Sequence, residues 1–256
     1  MAESRADLLH NLKHVLELDR GLGLDFVGKG GLTSAPTDPE PVARAESVAT
    51  PVTPAPPPTG TTPLPAAALT ALTTEIAACR ACGLCQSRTR TVPGEGDPAA
   101  ELVFVGEGPG ADEDEQGRPF VGKAGELLDR MIVAMGLTRD QVYLCNVVKC
   151  RPPGNRTPEP AEITACLGYL HRQLAAIRPK VICALGNTPL RALTGDASLG
   201  ITRMRGQRLN YRGTPLIPTF HPEYLLRNET AKKPCWEDLK QVLAVLGRTP
   251  PVRNRG

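Results

Sequence analysis

No stretch of this 256-residue chain stays apolar for the roughly 18 residues that a membrane-crossing helix needs. Its first residues, MAESRADLLH, lack the apolar core behind a basic flank that marks an export signal. These two absences predict a soluble, cytoplasmic chain. The net charge is only +3, so the chain as a whole does not announce a nucleic-acid binder. No internal repeat is evident, which argues against a solenoid or propeller. The low net charge hides an asymmetry. Five acidic residues crowd into residues 107–115, whereas from Arg139 onward the balance is basic. That separation allows a basic face opposite an acidic site. Eight cysteines in a reducing compartment argue for metal or thiol chemistry before disulfides.

Residues 5–20 carry Leu8, Leu9, Leu12, Val15, Leu16 and Leu18, a helical spacing with one apolar face that Gly21 ends. Residues 33–65 are rich in Pro, Ala and Thr and predict a disordered or polyproline spacer. The expected organisation is therefore a helical extension (1–32), a linker (33–65), a folded domain (66–248) and a short tail (249–256). The extension is a candidate surface for an unidentified protein partner. Within the domain, helical patterns at 66–78, 123–135, 160–177, 188–193 and 236–246 alternate with strand patterns at 102–105, 141–148 and 181–185. A hairpin is expected over 207–211 and 215–219. This order predicts an α/β fold of three layers, α/β/α, around a central, mainly parallel four-stranded sheet.

The most informative stretch is VFVGEGPGADEDEQGRPFVGKAGELL, residues 103–128. A short apolar strand breaks into a Gly-Pro-Gly turn, where backbone can approach a ligand closely. In open α/β sheets ligands bind at the carboxyl ends of strands, so this block reads as one wall of a site. Alone it fits a phosphate loop, a sugar pocket or a tight structural turn. A full G-x-G-x-x-G is missing, which weighs against a dinucleotide-binding oxidoreductase. Cys79-x2-Cys82 lies near the domain start, with Cys150 and Cys166 further on. Four such thiolates suit zinc or a [4Fe–4S] cluster. Cys85 makes a second CxxC with Cys82, and spacing does not choose between Cys79 and Cys85. Cys145 and Cys183 sit inside apolar strands and read as buried small side chains, and Cys235 has no visible partner.

Five motifs together resemble family 4 uracil-DNA glycosylases, the iron–sulfur branch of the uracil-DNA glycosylase superfamily. They are Cys79-x2-Cys82-x-Leu84 followed by RTRTVPGEG, then GEGPGADEDEQGRPFVGKAG, NVVKCRPPGNRTP, Cys166 and HPEYLLRN. The resemblance covers about residues 67–247. It implies a [4Fe–4S] cluster on Cys79, Cys82, Cys150 and Cys166, structural rather than redox-active, with Cys85 a bystander. It implies hydrolysis of the uracil N-glycosidic bond in single- or double-stranded DNA by a monomer. A related branch that traps uracil-DNA covalently is the alternative. Its extra basic loop, with a histidine, has no counterpart between residues 185 and 219.

The resemblance also distributes roles. Phe120 stacks on the base, and Asn146 reads its edge through an amide that both donates and accepts. Gly106 and Gly110 line the uracil pocket. His221 donates to the charge that grows on uracil O2. Where another branch carries a catalytic Asp, this chain has Gly108, which leaves Glu107 as the candidate for managing the attacking water. Leu225, with Leu226 beside it, is expected to fill the gap left in the base stack. Arg227, Lys149, Arg151 and Arg156 are candidate phosphate contacts.

Overall fold

The computed structural model describes residues 64–251. The helix expected over residues 5–20, the linker as far as residue 63 and residues 252–256 lie outside the described residues. Six strands, β1 (Glu95–Gly96), β2 (Leu102–Gly106), β3 (Tyr143–Asn146), β4 (Val181–Leu185), β5 (Leu209–Tyr211) and β6 (Thr214–Thr219), form one sheet in the order β1-β3-β2-β4-β6-β5. The four inner strands run parallel to one another. The two outer ones pair antiparallel. The expected four-stranded sheet is thus the parallel centre of a six-stranded mixed sheet. The strand with no sequence signal is β1, two residues long with a glycine, which offers no alternation to read.

Every residue of β2 and of β4 is buried. Strands covered on both faces need apolar side chains on both, which is why each reads as a continuous apolar run. Along β2 the two faces separate. Val103 and Val105 join a cluster with Leu170 and Leu174 of α4 (Pro160–Ile177). Leu102 and Phe104 join Leu128 and Ile132 of α3 (Lys123–Ala134). Alternate side chains of a strand point to opposite faces, so this split follows from the pleat. Helix α1 (Pro65–Ala78) lies on the α4 side through Leu69 and Leu72. Helix α8 (Lys232–Val245) lies on the α3 side through Leu239, Val242 and Leu243. Each such buried leucine contributes about 1.5–3 kcal/mol. Short helices α2 (Ala111–Gln116), α5 (Asn187–Thr194), α6 (Ile201–Met204) and α7 (Pro222–Arg227) fill the connections.

The start of α4 follows from its first residues. Pro160 sits at the first helical position, where a missing N–H costs nothing, and the Glu162 carboxylate accepts the Glu159 N–H at 2.7 Å. The helix stops at Arg178, left-handed at φ 54°, just before Pro179. The second strand is shorter than expected. Residues Arg139–Gln141 form a 3₁₀ turn capped by Thr138, and the regular strand ends at Asn146, although the buried Val147 and Val148 still donate to the Gly106 and Glu107 carbonyls. Helix α8 begins at Lys232, earlier than expected, because Pro234 is tolerated in a first turn.

The connection leaving β2 runs to β3 on one side, and the one leaving β4 runs to the edge strand β5, which turns back into β6, on the other. Between the carboxyl ends of β2 and β4 the winding changes direction. That is where an open α/β sheet leaves a crevice.

Candidate active site and thiol cavity

A cleft of about 580 Å³ opens at this crevice. Glu107 and Gly108 follow β2, Asn146 ends β3, Gly186 and Thr188 follow β4, and His221 follows β6. Four strand ends therefore supply its chemistry.

Asn146 pairs in register with Gly106 and is 2% exposed, yet its Oδ1 has no hydrogen-bond partner. Leaving such an acceptor unpaired costs about 1–3 kcal/mol, and a ligand N–H would recover it. Phe120 stands beside it. A Cβ on Gly106 would meet Asn146 Oδ1 at 2.4 Å and Phe120 Cζ at 2.6 Å, so glycine here lets the amide and the ring share one floor.

Phe120 is itself held in a left-handed conformation, φ 53°, an arrangement that persists only where its surroundings insist on it. They do. Arg139 donates to the carbonyls of Pro119 and Phe120, the latter at 3.0 Å. The Glu113 carboxylate accepts N–H bonds from Val121 and Gly122 at 3.0 and 3.1 Å, and from Gly110 at 3.0 Å. Gly125, in the first turn of α3, has no Cβ to strike the Phe120 carbonyl, which would lie 1.9 Å away. Glu113, readable from sequence only as a helix-entry charge or a solvated acid, thus ties the Gly110 turn to the Phe120 loop. Neither it nor Arg139 could be assigned that work from sequence, because their partners lie in other segments.

His221 caps α7. Its Nδ1 accepts the Glu223 N–H at 3.2 Å, so the neutral ring carries its proton on Nε2. Burial lowers its pKa below the ordinary value, against the pull of Glu223 and Glu113. Its ring lies 6.3 Å from that of Phe120, centroid to centroid. Across the crevice the buried Thr188 hydroxyl donates to Glu107 Oε2. Sequence reasoning missed Thr188. A threonine just inside a helix that leaves a strand was the available signal. Gly108 is enforced by packing, since a Cβ would lie 2.7 Å from Val148 Cγ2.

Among the candidate DNA contacts, Arg227 is exposed at the cleft and pairs with Glu223 at 3.3 Å. Arg151 donates to Asn155 Oδ1 at 2.7 Å. Arg156 also faces the cleft, but it is held by the Glu162 carboxylate at 2.8 and 2.7 Å, which locks it to the start of α4. Two expectations need correction. Lys149 is 1% exposed and cannot reach a phosphate, because its Nζ is bonded inside the protein. Leu225 is 1% exposed and packs with Leu127, Ala231 and Cys235, so it is not free to enter a base stack. In a helix of six residues periodicity does not say which leucine turns inward. Tyr224 and Leu226, 43% and 40% exposed, are the ones outside.

A second, small cavity is lined by Cys79, Cys82, Cys85, Cys150 and Cys166. Cys79 caps the end of α1, Cys82 precedes a 3₁₀ turn, Cys150 follows β3 and Cys166 belongs to α4. Arg88 Nη1 donates to Cys150 Sγ at 3.1 Å, and the Lys149 N–H to Cys166 Sγ at 3.3 Å. Burial pushes the Cys150 thiol up and the Cys166 thiol to about 11, with neighbouring cysteines adding to both. Such thiols become thiolates only when a cation takes the charge. The donor set, soft sulfurs from separate segments with N–H groups aimed at two of them, fits a thiolate-bound group. Among the described residues no three donors gather as they would around one ion. Five cysteine sulfurs share the lining of one small cavity. Cys145, Cys183 and Cys235 are buried elsewhere in the core.

Residues 93–240 match the model of the uracil DNA glycosylase superfamily. The type-4 uracil-DNA glycosylase of Sulfurisphaera tokodaii is 48% identical over 176 residues, which cover 66% of this chain and 80% of that protein. The type-4 enzyme of Thermotoga maritima is 51% identical over 153 residues, 59% of this chain and 80% of its own length. That of Archaeoglobus fulgidus is 41% identical over 184 residues, 69% and 92%. With most of each relative's length matched and more than half of the chain inside the family model, the chain belongs to the uracil-DNA glycosylase superfamily and, within it, to the type-4 family.

Proposed function

We propose that this chain is a uracil-DNA glycosylase that takes uracil out of single- or double-stranded DNA and hydrolyses its N-glycosidic bond. The abasic site it leaves begins base excision repair in the cytoplasm. The observation that carries the reading is the buried, unpartnered Oδ1 of Asn146 beside Phe120 and within the cleft that His221 lines. A base inside a duplex is out of reach, so the nucleotide must turn out into the cleft. There Asn146 accepts the N3–H of uracil and donates to O4. Cytosine reverses both groups and is refused. Phe120 offers its ring to the base.

Water then adds to the anomeric carbon as the bond to N1 breaks and its electron pair passes to uracil. His221 Nε2–H donates to O2 where that charge grows, a placement worth roughly 3–4 kcal/mol in other enzymes. On the sugar side Glu107, steadied by Thr188, orients the water and faces the positive charge of the sugar, a task Gly108 has no side chain to perform. Leu226, exposed next to the buried Leu225, fills the vacated stack. Arg227 and Arg151 contact phosphates, which makes binding weaken steeply with salt.

Cys79, Cys82, Cys150 and Cys166 would hold a [4Fe–4S] cluster in the second cavity. When bound, the cluster supplies a covalent tie between distant segments. The reading is tested by incubating the chain with uracil-containing oligonucleotides and cleaving abasic sites with alkali. Scission with the natural chain, strongly reduced in Asn146→Ala and His221→Ala, is expected. Intact strands with brown, cluster-loaded protein would sink the proposal. A protein–DNA adduct that survives denaturation would replace turnover with trapping.

A further inference from the structure

Lys149 carries a cation into the interior, where a charge is costly unless it is fully bonded. Its two acceptors are neutral oxygens. Nζ donates to the backbone carbonyl of Asn146 at 2.7 Å and to Gln173 Oε1 at 2.6 Å. Gln173 lies in α4, two turns beyond Cys166 and on the same side of the helix. The backbone of Lys149 is anchored as well. Its N–H donates to Cys166 Sγ at 3.3 Å, and its carbonyl accepts the Val92 N–H at 2.8 Å. The other end of Gln173 donates to Pro93 O at 2.7 Å. The short segment from Asn146 to Lys149 is therefore tied to α4 twice, once at each end.

We propose that Lys149 is a positioning residue for base recognition: it straps the backbone of Asn146 to α4, the helix that carries Cys166. That the strapped amide reads uracil rests on the function proposed above, but the strap itself does not. The arrangement gives the thiol cavity a mechanical line to the cleft. When α4 is unseated, by loss of whatever the thiols hold, the Asn146 carbonyl loses its anchor. Displacements of an ångström in a recognition group are enough to lower turnover by large factors.

The test uses the full, cluster-loaded chain and the variant Lys149→Met, which keeps the stem and removes the ammonium. Amide exchange is followed at Val147 and Val148, whose N–H groups bond to the carbonyls of Gly106 and Glu107. The expected result is at least roughly tenfold faster exchange at these two amides. The central strand β4 should remain protected and the visible absorbance of the cluster should persist. Uracil release should fall in kcat more than in KM. Exchange is read without turnover, so a chain that releases no uracil at all still tests the strap. Loss of a buried cation can unfold a protein, so Gln173→Met gives a second arm that removes one acceptor and keeps the lysine. It should quicken exchange at the same two amides. Unchanged exchange in the folded variants would overturn the proposal. So would faster exchange spread evenly over the whole sheet, which would make Lys149 merely structural.

Discussion

Gly106 and Asn146 stand side by side at the ends of paired strands, and a methyl group on the first would lie 2.4 Å from the Oδ1 of the second. The same methyl would lie 2.6 Å from the Phe120 ring. The Phe120 loop is pinned by Arg139 and Glu113, and Asn146 is 2% exposed, so neither has much room to move. Gly106→Ala is expected to displace the amide or the ring and lower uracil release by more than about tenfold. Its stability cost should stay near 1–3 kcal/mol, as in other overpacked sites. Activity and denaturant midpoints measured on one preparation separate the two effects.

The Thr188 bond to Glu107 predicts a conservative rescue. Thr188→Val removes the hydroxyl while keeping the shape, and should slow single-turnover uracil release by about tenfold, the worth of one hydrogen bond to a charged group. Thr188→Ser should restore most of it. Equal rates in all three chains would take Glu107 out of the mechanism.

His221 makes stability depend on pH in a definite direction. Its pKa in the folded chain lies below the ordinary 6.5, chiefly through burial. As the pH falls below 6.5 the unfolded chain binds a proton that the folded ring still refuses, so stability drops. The drop levels off once the pH is below the folded value. Above 6.5 this histidine contributes no slope. His221→Asn keeps a capping side chain without the titration. Its denaturant midpoint should therefore fall less than that of the natural chain on acidification, while other groups titrate alike in both.

The thiol cavity predicts unequal cysteines. Cys79 and Cys82 lie near enough to Cys150 to raise its pKa, and Cys85 is not among the groups that do. Cys85→Ser should keep the visible absorbance expected of the proposed iron–sulfur cluster. Cys79→Ser and Cys150→Ser should lose it and lower the melting temperature. Loss of colour in Cys85→Ser alone would exchange the two assignments.

What the sequence disclosed and what it withheld divide along a physical line. Strands β2 and β4 were legible because burial on both faces demands an unbroken apolar run. The glycines after β2, Asn146 at the end of β3 and His221 after β6 were legible as motifs. Lys149 reads as a phosphate contact because a lysine usually lies at the surface, and its acceptors, a backbone carbonyl and Gln173, carry no signature in sequence. Leu225 and Leu226 are chemically identical, and only the docking of α7 decides which is covered. Thr188, Glu113 and Arg139 act on residues in other segments, so their roles exist only after folding.

The cleft draws its groups from the ends of four parallel strands that are far apart in the chain. Its geometry is thus a property of the finished sheet and belongs to no fragment of it. Pairings of this kind close slowly, because long loops must be brought together before any contact rewards them. During refolding, helical signal should return first and uracil release last. The reaction would then serve as a stopwatch for the final closing of β4 onto β6.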